Sequence, residues 1–92
     1  MIEAFGDTLK IKGPVTFSTY VALRENGDPH IGKRDLIIDW SDTTEVDSSA
    51  LSLLFAWKRI ALEQNKTIRN NNFPCNLNAL AELYGVEEFI QN

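Results

Sequence analysis

An acidic residue and two hydroxyl residues, Asp47, Ser48 and Ser49, stand directly before the strongly apolar run LSLLFAW. A carboxylate or hydroxyl oxygen at such a place caps a helix, because it accepts a hydrogen bond from a backbone N–H that has no partner in the first turn. A serine in the first turn is also well placed for phosphorylation, since the helix dipole stabilises added negative charge. The stretch therefore predicts a helix N-terminus, with Ser48 and Ser49 as candidate phosphorylation sites.

The other residues that could do chemistry do not combine into a site in the sequence. Acidic residues crowd one predicted loop at Asp39, Asp42, Glu45 and Asp47. Their spacing lacks the glycine and terminal glutamate of a calcium loop, and no histidine cluster supports a transition metal. The single histidine, His30, has no cysteine or serine near it in sequence, and no glycine-rich phosphate loop is present. We expect no catalytic residue, no metal site and no cofactor.

Composition and charge bound the class of protein. With 92 residues, 43% apolar and 24% charged, the chain is expected to form a single domain over residues 1–92. The N-terminus is acidic where a signal peptide is basic, no run approaches the roughly 20 apolar residues that cross a bilayer, and the lone Cys75 fits a reducing compartment. We therefore expect a cytoplasmic protein. A net charge of −4 without a basic stripe argues against nucleic acid as a partner.

The first half of the chain predicts a hairpin and a helix. Leucine and isoleucine alternate with lysine in TLKIKG, which predicts a strand over residues 8–13 that pairs with IEAF across a Gly-Asp turn and is ended by Pro14. The helical spacing of Phe17 and the apolar residues after it predicts a helix, with Thr16 as its cap and Gly27 as its C-terminal stop.

The second half alternates strands and helices. The apolar run DLIID is typical of a central strand buried on both faces, the acidic segment WSDTTEVD is expected to be a loop, and a long helix covers about residues 48–64. KTIRNNN predicts a strand, Pro74 opens a helix that Gly85 ends, and VEEFI closes the chain as a strand or short helix. This order predicts an α/β fold: a mixed β-sheet of about four to five strands, with parallel crossovers and with helices mainly on one face.

The long helix has two sides when it is read at about 100° per residue. The side expected to face the core carries Ala50, Leu53, Leu54, Trp57, Ile60 and Ala61. The outward side carries Ser48, Ser49, Ser52, Ala56, Arg59 and Glu63, and Phe55 lies close beside it. A large aromatic among small residues and an arginine is typical of a protein-binding patch. The alternative is that a neighbouring loop or helix of the same domain covers Phe55.

The run LIIDWSDTTEVDSSALSLLFAWKRIALEQNK resembles the STAS domain, the sulfate-transporter and anti-sigma-factor-antagonist module. The family pattern is a buried strand that ends in Asp, a loop, and then Val-Asp-Ser-Ser/Thr-Gly/Ala-Leu opening a helix. It is matched here by Ile38, Asp39, Ser41 and residues 46–51. The flanking segments LKIKGPVTFSTYVAL and FPCNLNALAELYGVEEFI extend the resemblance over nearly the whole chain, and together they imply a STAS fold.

Within that family, GPVTFST, AWKR and LAELYGV look like the MlaB-type branch. The resemblance implies a small, non-catalytic cytoplasmic subunit that binds the ATPase subunit of a phospholipid ABC transporter, which maintains outer-membrane lipid asymmetry. Contact with the inner membrane would be indirect, through the ATPase–permease complex, and the isolated domain is expected to self-associate as a homodimer when its partner is missing. The partner-binding surface that the resemblance implies is Ser48, Ser49, Ser52, Phe55, Ala56 and Arg59.

A second branch of the family gives the alternative function. Anti-sigma factor antagonists are phosphorylated by a partner kinase on the second hydroxyl of the motif, which is Ser49 here. The sequence departs from the usual antagonist motif by having Ala50 where glycine is common. Trp40 and Thr43 also replace the aliphatic residues that are usual between the strand and the loop.

Overall fold

Strands and helices alternate along most of the chain. The computed structural model describes residues 1–89. Its strands are β1 Ile2–Phe5, β2 Thr8–Ile11, β3 Gly13–Val15, β4 Leu36–Asp39, β5 Thr43–Val46 and β6 Ile68–Asn71. Its α-helices are α1 Tyr20–Gly27, α2 Ser48–Glu63 and α3 Cys75–Leu83, with short 3₁₀ turns at Asp28–His30 and Glu87–Phe89.

Four of the strands form one mixed sheet in the order β1-β2-β4-β6. β1 and β2 are an antiparallel hairpin, whereas β2 pairs with β4 and β4 pairs with β6 in parallel. A parallel pair needs a crossover connection, and α1 and α2 provide the two crossovers. The predicted α/β architecture with a mixed sheet of four to five strands is confirmed, as is the predicted hairpin.

Alternate residues of the sheet point to opposite faces, and the helices cover only one of them. Leu9 and Ile38 are buried on the covered face, whereas Lys10 and Asp39, which follow them in sequence, are only half-buried on the other. The prediction that DLIID is buried on both faces is wrong, because Ile37 points to the uncovered face and is half-buried. The strand has a continuous apolar run because it lies in the centre of the sheet, although helices cover only one face of that sheet.

Two further short strands, which the sequence did not predict, form a separate two-stranded parallel sheet. β3 pairs with β5, and the register shifts between Gly13 and Val15. The prediction that Pro14 ends strand structure is therefore wrong, since proline is tolerated at such an irregular, short edge strand. Half of the acidic segment predicted as a loop, Thr43–Val46, is β5, so that prediction is wrong for these residues. Thr43 is tied to the sheet by a hydrogen bond from its hydroxyl to the Ile11 carbonyl, at 3.2 Å.

The two tryptophans are the largest fully buried side chains. The Trp40 indole N–H donates to the buried Asn70 side chain at 3.1 Å, and its ring packs against Phe73 with the centroids 5.6 Å apart. The Trp57 indole N–H donates to Asp28 at 2.8 Å, and Asp28 also accepts both hydrogen-bond contacts of the Arg24 Nε. Each indole therefore buries its ring without leaving a donor unpaired.

Helix α1 begins later than its sequence pattern indicates. It starts at Tyr20, so Thr16 does not cap it, and the prediction of a Thr16 cap is wrong. The Thr16 amide donates to the Thr19 hydroxyl at 3.0 Å, and that hydroxyl donates to the Pro14 carbonyl at 2.9 Å. These hydrogen bonds form a turn that satisfies the backbone before the helix begins. Phe17 consequently lies in the turn and is exposed, although its spacing placed it on the core side of a helix.

Helix α3 ends at a glycine, as the sequence predicts. Gly85 has a φ of 69°, and the Val86 amide donates back to the Ala81 carbonyl at 2.8 Å, which is the pattern of a left-handed helix end. The core face of α3 stops one turn earlier than its spacing suggests, because Tyr84 is 57% exposed. The predicted final strand or helix is a 3₁₀ turn at Glu87–Phe89, and the last residue of VEEFI lies outside the described residues.

Within residues 1–89, no helix has the length and apolar character to cross a membrane.

Candidate functional site

The N-terminus of α2 is fixed by Asp47, which contacts two separate segments. One carboxylate oxygen accepts the Ser49 amide at 2.7 Å, which caps the helix, and the other accepts the Phe17 amide at 3.0 Å. Burial alone would raise the pKa of Asp47, but the hydrogen bonds from the Phe17 and Ser49 amides outweigh it and lower that pKa below its ordinary value. The carboxylate is therefore held ionised, and it fastens the turn before α1 to the start of α2.

The six residues predicted to bind a partner lie on one side of α2, and we call them the α2 stripe: Ser48, Ser49, Ser52, Phe55, Ala56 and Arg59. Ser48, Ser52 and Arg59 are exposed, whereas the other three are half-buried. The opposite side of the helix enters the core as predicted, with Ala50, Leu53 and Trp57 buried. The helical angle thus separates the two sides correctly, with Ile60 half-buried at their boundary.

Phe55 is neither fully covered nor fully free. It packs partly against the core and lines an open groove of about 260 Å³ beside the first turns of α2. The groove is lined by Ser48, Leu51, Ser52, Phe55, Tyr84 and Val86. The segment that follows α3 therefore supplies Tyr84 and Val86 to the same groove as Phe55, together with the serines Ser48 and Ser52 of α2. Such a shape suits the insertion of a side chain from another protein.

Three exposed apolar residues that the sequence analysis did not assign to the site lie near this groove or on the helix that borders it. Phe17 is 82% exposed in the turn that Asp47 fastens to α2. Tyr84 lines the groove, and Leu83, 76% exposed, ends the neighbouring helix α3. Single apolar residues on a surface are ordinary, whereas larger exposed apolar patches are typical of interaction sites. Spacing gave no signal for the exposure of Phe17, because this residue continues the helical pattern of the apolar residues after it.

Asp39, the acidic residue that ends β4 in the family pattern, has a structural contact set. One of its oxygens accepts the Ser41 amide at 2.9 Å and the Asn72 side-chain amide at 3.1 Å. The hydrogen bonds from Ser41 and Asn72 lower the pKa of the Asp39 carboxyl. Asp39 thereby joins the exits of two neighbouring parallel strands, β4 and β6.

The other residues that could do chemistry lie apart from the α2 stripe or are not grouped. In the part of the chain from residue 1 to 89, no three His, Cys, Asp or Glu side chains form a group that could hold a metal ion. His30 is exposed and lines a different cavity, with Lys33 and Arg34. Cys75 is exposed at the start of α3. The α2 stripe itself supplies two kinds of group to a partner: serine hydroxyls at a helix N-terminus and a half-buried aromatic ring.

Comparison with known structures supports the fold. The crystal structure of Mglu matches with a TM-score of 0.61 and 15% sequence identity, over 82% of this chain and 20% of that chain. This chain therefore spans about a fifth of the length of Mglu. At this identity the likeness concerns the fold alone. A comparison with curated proteins gives no match.

Comparison with family models identifies the family. The model described as "Mlab, STAS domain" matches residues 3–91, which is almost the full length of the sequence. The match includes the start of α2 and the segment after α3, which together line the groove. The chain belongs to the STAS domain family, in its MlaB-like group.

Proposed function

We propose that this protein is a non-catalytic subunit that docks onto the ATPase subunit of a phospholipid ABC transporter of the Mla type, at the cytoplasmic side of the inner membrane. The observation that carries the proposal is the groove at the start of α2, where the half-buried Phe55 ring and exposed apolar neighbours adjoin the Ser48 and Ser52 hydroxyls. The MlaB-like family match directs the choice of partner.

In this mechanism the partner's side chain enters the groove and completes the burial of Phe55. Interface residues of this kind, aromatic and partly enclosed before binding, commonly cost about 2 kcal/mol or more of binding free energy when they are truncated. Arg59, exposed one turn further along α2, is available for a charge-assisted hydrogen bond to the partner. The ATPase binds and hydrolyses ATP, while this subunit stabilises the active ATPase dimer through the rigid α2 surface.

The test is affinity purification of the tagged protein from extracts of the organism that encodes it, with partners identified by mass spectrometry. We expect an ABC ATPase and its permease to be recovered with the wild-type chain. Phe55→Asp and Arg59→Glu should each lower that recovery at least about tenfold, because one places a charge in the apolar groove and the other reverses the charge of an exposed residue of the α2 stripe.

A matched control uses an aromatic residue on another surface. Phe5→Asp changes a residue that is 57% exposed on the uncovered face of the sheet, and recovery of the ATPase should be unchanged. Circular dichroism and thermal unfolding of each variant check that the fold is retained. Undiminished recovery with both stripe variants would show that the docking surface is elsewhere. Recovery of a small histidine-kinase-like ATPase, with Ser49 phosphorylated, would instead establish the anti-sigma factor antagonist function.

A further inference from the structure

A second groove, of about 640 Å³, runs between the C-terminal half of α2 and strand β6. Its lining residues are Lys58, Ala61, Leu62, Lys66, Thr67, Ile68 and Arg69. The floor is aliphatic: Leu62 is 76% exposed on α2, and Ile68 is half-buried at the start of β6. The groove is separate from the one at the start of α2, since the two have no lining residue in common.

One wall of this groove is the edge of the sheet. β6 pairs with β4 on one side, and no strand within residues 1–89 pairs with it on the other. An unpaired strand edge is a template for an additional strand, which forms main-chain hydrogen bonds with it. The groove therefore combines an apolar floor with a backbone surface that specifically recognises extended chain.

The charges at this groove select the occupant. Lys66 and Arg69 both line it, and neither forms an ion pair with any residue between 1 and 89. Asp35 lies at the same end of the sheet, where it accepts the Thr67 amide at 2.9 Å, and it is not paired with either cation. On a protein whose net charge is −4, two such cations beside an open strand edge favour an acidic partner.

We propose that the groove between α2 and β6 binds an extended segment of a partner protein in which acidic and aliphatic residues alternate. Side chains of an added strand alternate between the two faces of the sheet, as those of β6 do. On the helix-covered face they would lie over Leu62 and Ile68, which favours aliphatic residues. On the uncovered face they would lie beside Arg69, which favours aspartate or glutamate.

A second copy of this chain fits the edge less well. Pairing β6 with β6 of another copy would bring Lys66 and Arg69 of both copies together, and like charges across a strand pair are destabilising. An anionic lipid would use the cations and the aliphatic floor but not the strand edge. The proposal concerns a different surface from the α2 stripe and is independent of the proposed function.

The probe is an acetylated and amidated heptapeptide that alternates valine and glutamate, titrated into the full chain and followed by amide NMR. We expect the amide signals of Ile68–Asn71 to shift and the exchange of β6 amides with solvent to slow. Arg69→Glu should weaken the affinity roughly tenfold, because it replaces an attraction by a repulsion at an exposed position. Leu62→Asp should weaken it by a similar factor.

Lys33→Glu is the matched control, since it reverses an exposed cation outside this groove and should leave the affinity unchanged. Phe55→Asp should also bind the peptide normally, which separates this test from that of the proposed function. Equal binding of a valine–lysine peptide, or signal shifts confined to other elements, would overturn the proposal. Arg69-dependent binding of phosphatidylglycerol vesicles, without binding of the valine–glutamate peptide, would also overturn it. A dimer that is seen in sedimentation and that the peptide fails to dissociate would overturn it as well.

Discussion

Asp47 uses its two carboxylate oxygens to hold two segments that are 30 residues apart in the chain. The helix-capping contact to Ser49 is local, and its position follows from the sequence. The contact to the Phe17 amide depends on the fold, because it requires the turn before α1 to lie against the start of α2. A single side chain therefore holds the turn before α1 against the start of α2, the helix that carries the proposed docking surface.

We expect Asp47→Ala to lower the free energy of unfolding at neutral pH by about 1 kcal/mol or somewhat more, because it removes a helix cap together with the acceptor of the Phe17 amide. Urea unfolding at pH 7 measures this change. Glu45→Ala serves as the control, since Glu45 is exposed on the neighbouring strand β5 and should change stability little. Equal stability of Asp47→Ala and the wild type would show that water replaces both contacts without loss.

The charge of Asp47 also affects how the stability of the protein depends on pH. Its pKa is lower in the folded protein than in the unfolded chain, so its ionisation stabilises the fold fully above the unfolded value, which is about 3.9. That stability is lost as the pH falls from there through the lower, folded pKa. Asp47→Asn retains a capping side chain but lacks this titration, so its stability should fall less between pH 5 and pH 2, an acid window set roughly by these two pKa values.

Urea midpoints measured at steps of pH across that window compare the two proteins. The same slope in both would show that Asp47 contributes nothing to acid unfolding. Asp39, whose pKa is also lowered by hydrogen bonds, contributes to the slope that remains in Asp47→Asn.

At the scale of elements, α1 and α2 approach each other closely at Gly27. A β-carbon on Gly27 would clash with the buried Trp57 ring and would lie 2.9 Å from Ile2. The sequence pattern predicts a helix stop at Gly27, and α1 does end there. Its φ of −93°, however, is open to any residue, so glycine is required for packing and not for backbone conformation.

Gly27→Ala is therefore expected to destabilise the protein by about 1–3 kcal/mol through overpacking. The sign of this change in stability shows whether packing or backbone freedom dominates, because the same substitution in a helix with open space around it stabilises by roughly 0.5–1 kcal/mol. Thermal and urea unfolding give the difference, and Asn26→Ala, on the exposed side of α1, is the control. A stabilised Gly27→Ala protein would mean that α1 can move away from Trp57 at little cost.

The elements that could be predicted from sequence were those with a long or regular apolar pattern. The hairpin and the two sides of α2 follow from periods of two and 3.6 residues, and β4 follows from a continuous apolar run. β3 and β5 could not be predicted in this way, because one contains proline and the other is a polar and acidic stretch, and each is a strand only through its pairing with the other. Short-range spacing also cannot tell that Phe17 precedes its helix or that Tyr84 follows the last buried turn.

For the site, the residues on α2 could be assigned from angle and from family resemblance, and they do lie together on one side. The other walls of the groove could not, because Tyr84 and Val86 reach it only through the packing of α3 and the left-handed turn at Gly85. The role of the α2 stripe in binding a partner stays a prediction.

At the scale of the molecule, one sheet with helices on one face leaves stability unevenly distributed. β4 is hydrogen-bonded on both sides, whereas β1 and β6 are the edges of the sheet within residues 1–89. Amides of buried central strands exchange with solvent only when a larger part of the structure unfolds, whereas amides of edge strands exchange after smaller, local unfolding. We therefore expect the slowest hydrogen exchange in β4 and faster exchange in β1 and β6.

Amide exchange followed by NMR on the isolated protein tests this order. Protection of β6 equal to that of β4 in the monomer would show that its outer edge is already covered. Faster exchange in β4 than in β1 would contradict the sheet order itself.

The fluorescence of the two buried tryptophans reports whether the core of the protein is folded. Trp57 lies between α1 and α2, and Trp40 lies at the exit of β4 beside Phe73, so one indole monitors helix packing and the other monitors the sheet. Neither ring lines the groove at the start of α2 or the groove beside β6. Emission from both tryptophans should therefore shift to longer wavelength when the core unfolds, and should stay unchanged when a partner occupies either groove. Intrinsic fluorescence can thus distinguish variants that are misfolded from variants that are folded but no longer bind.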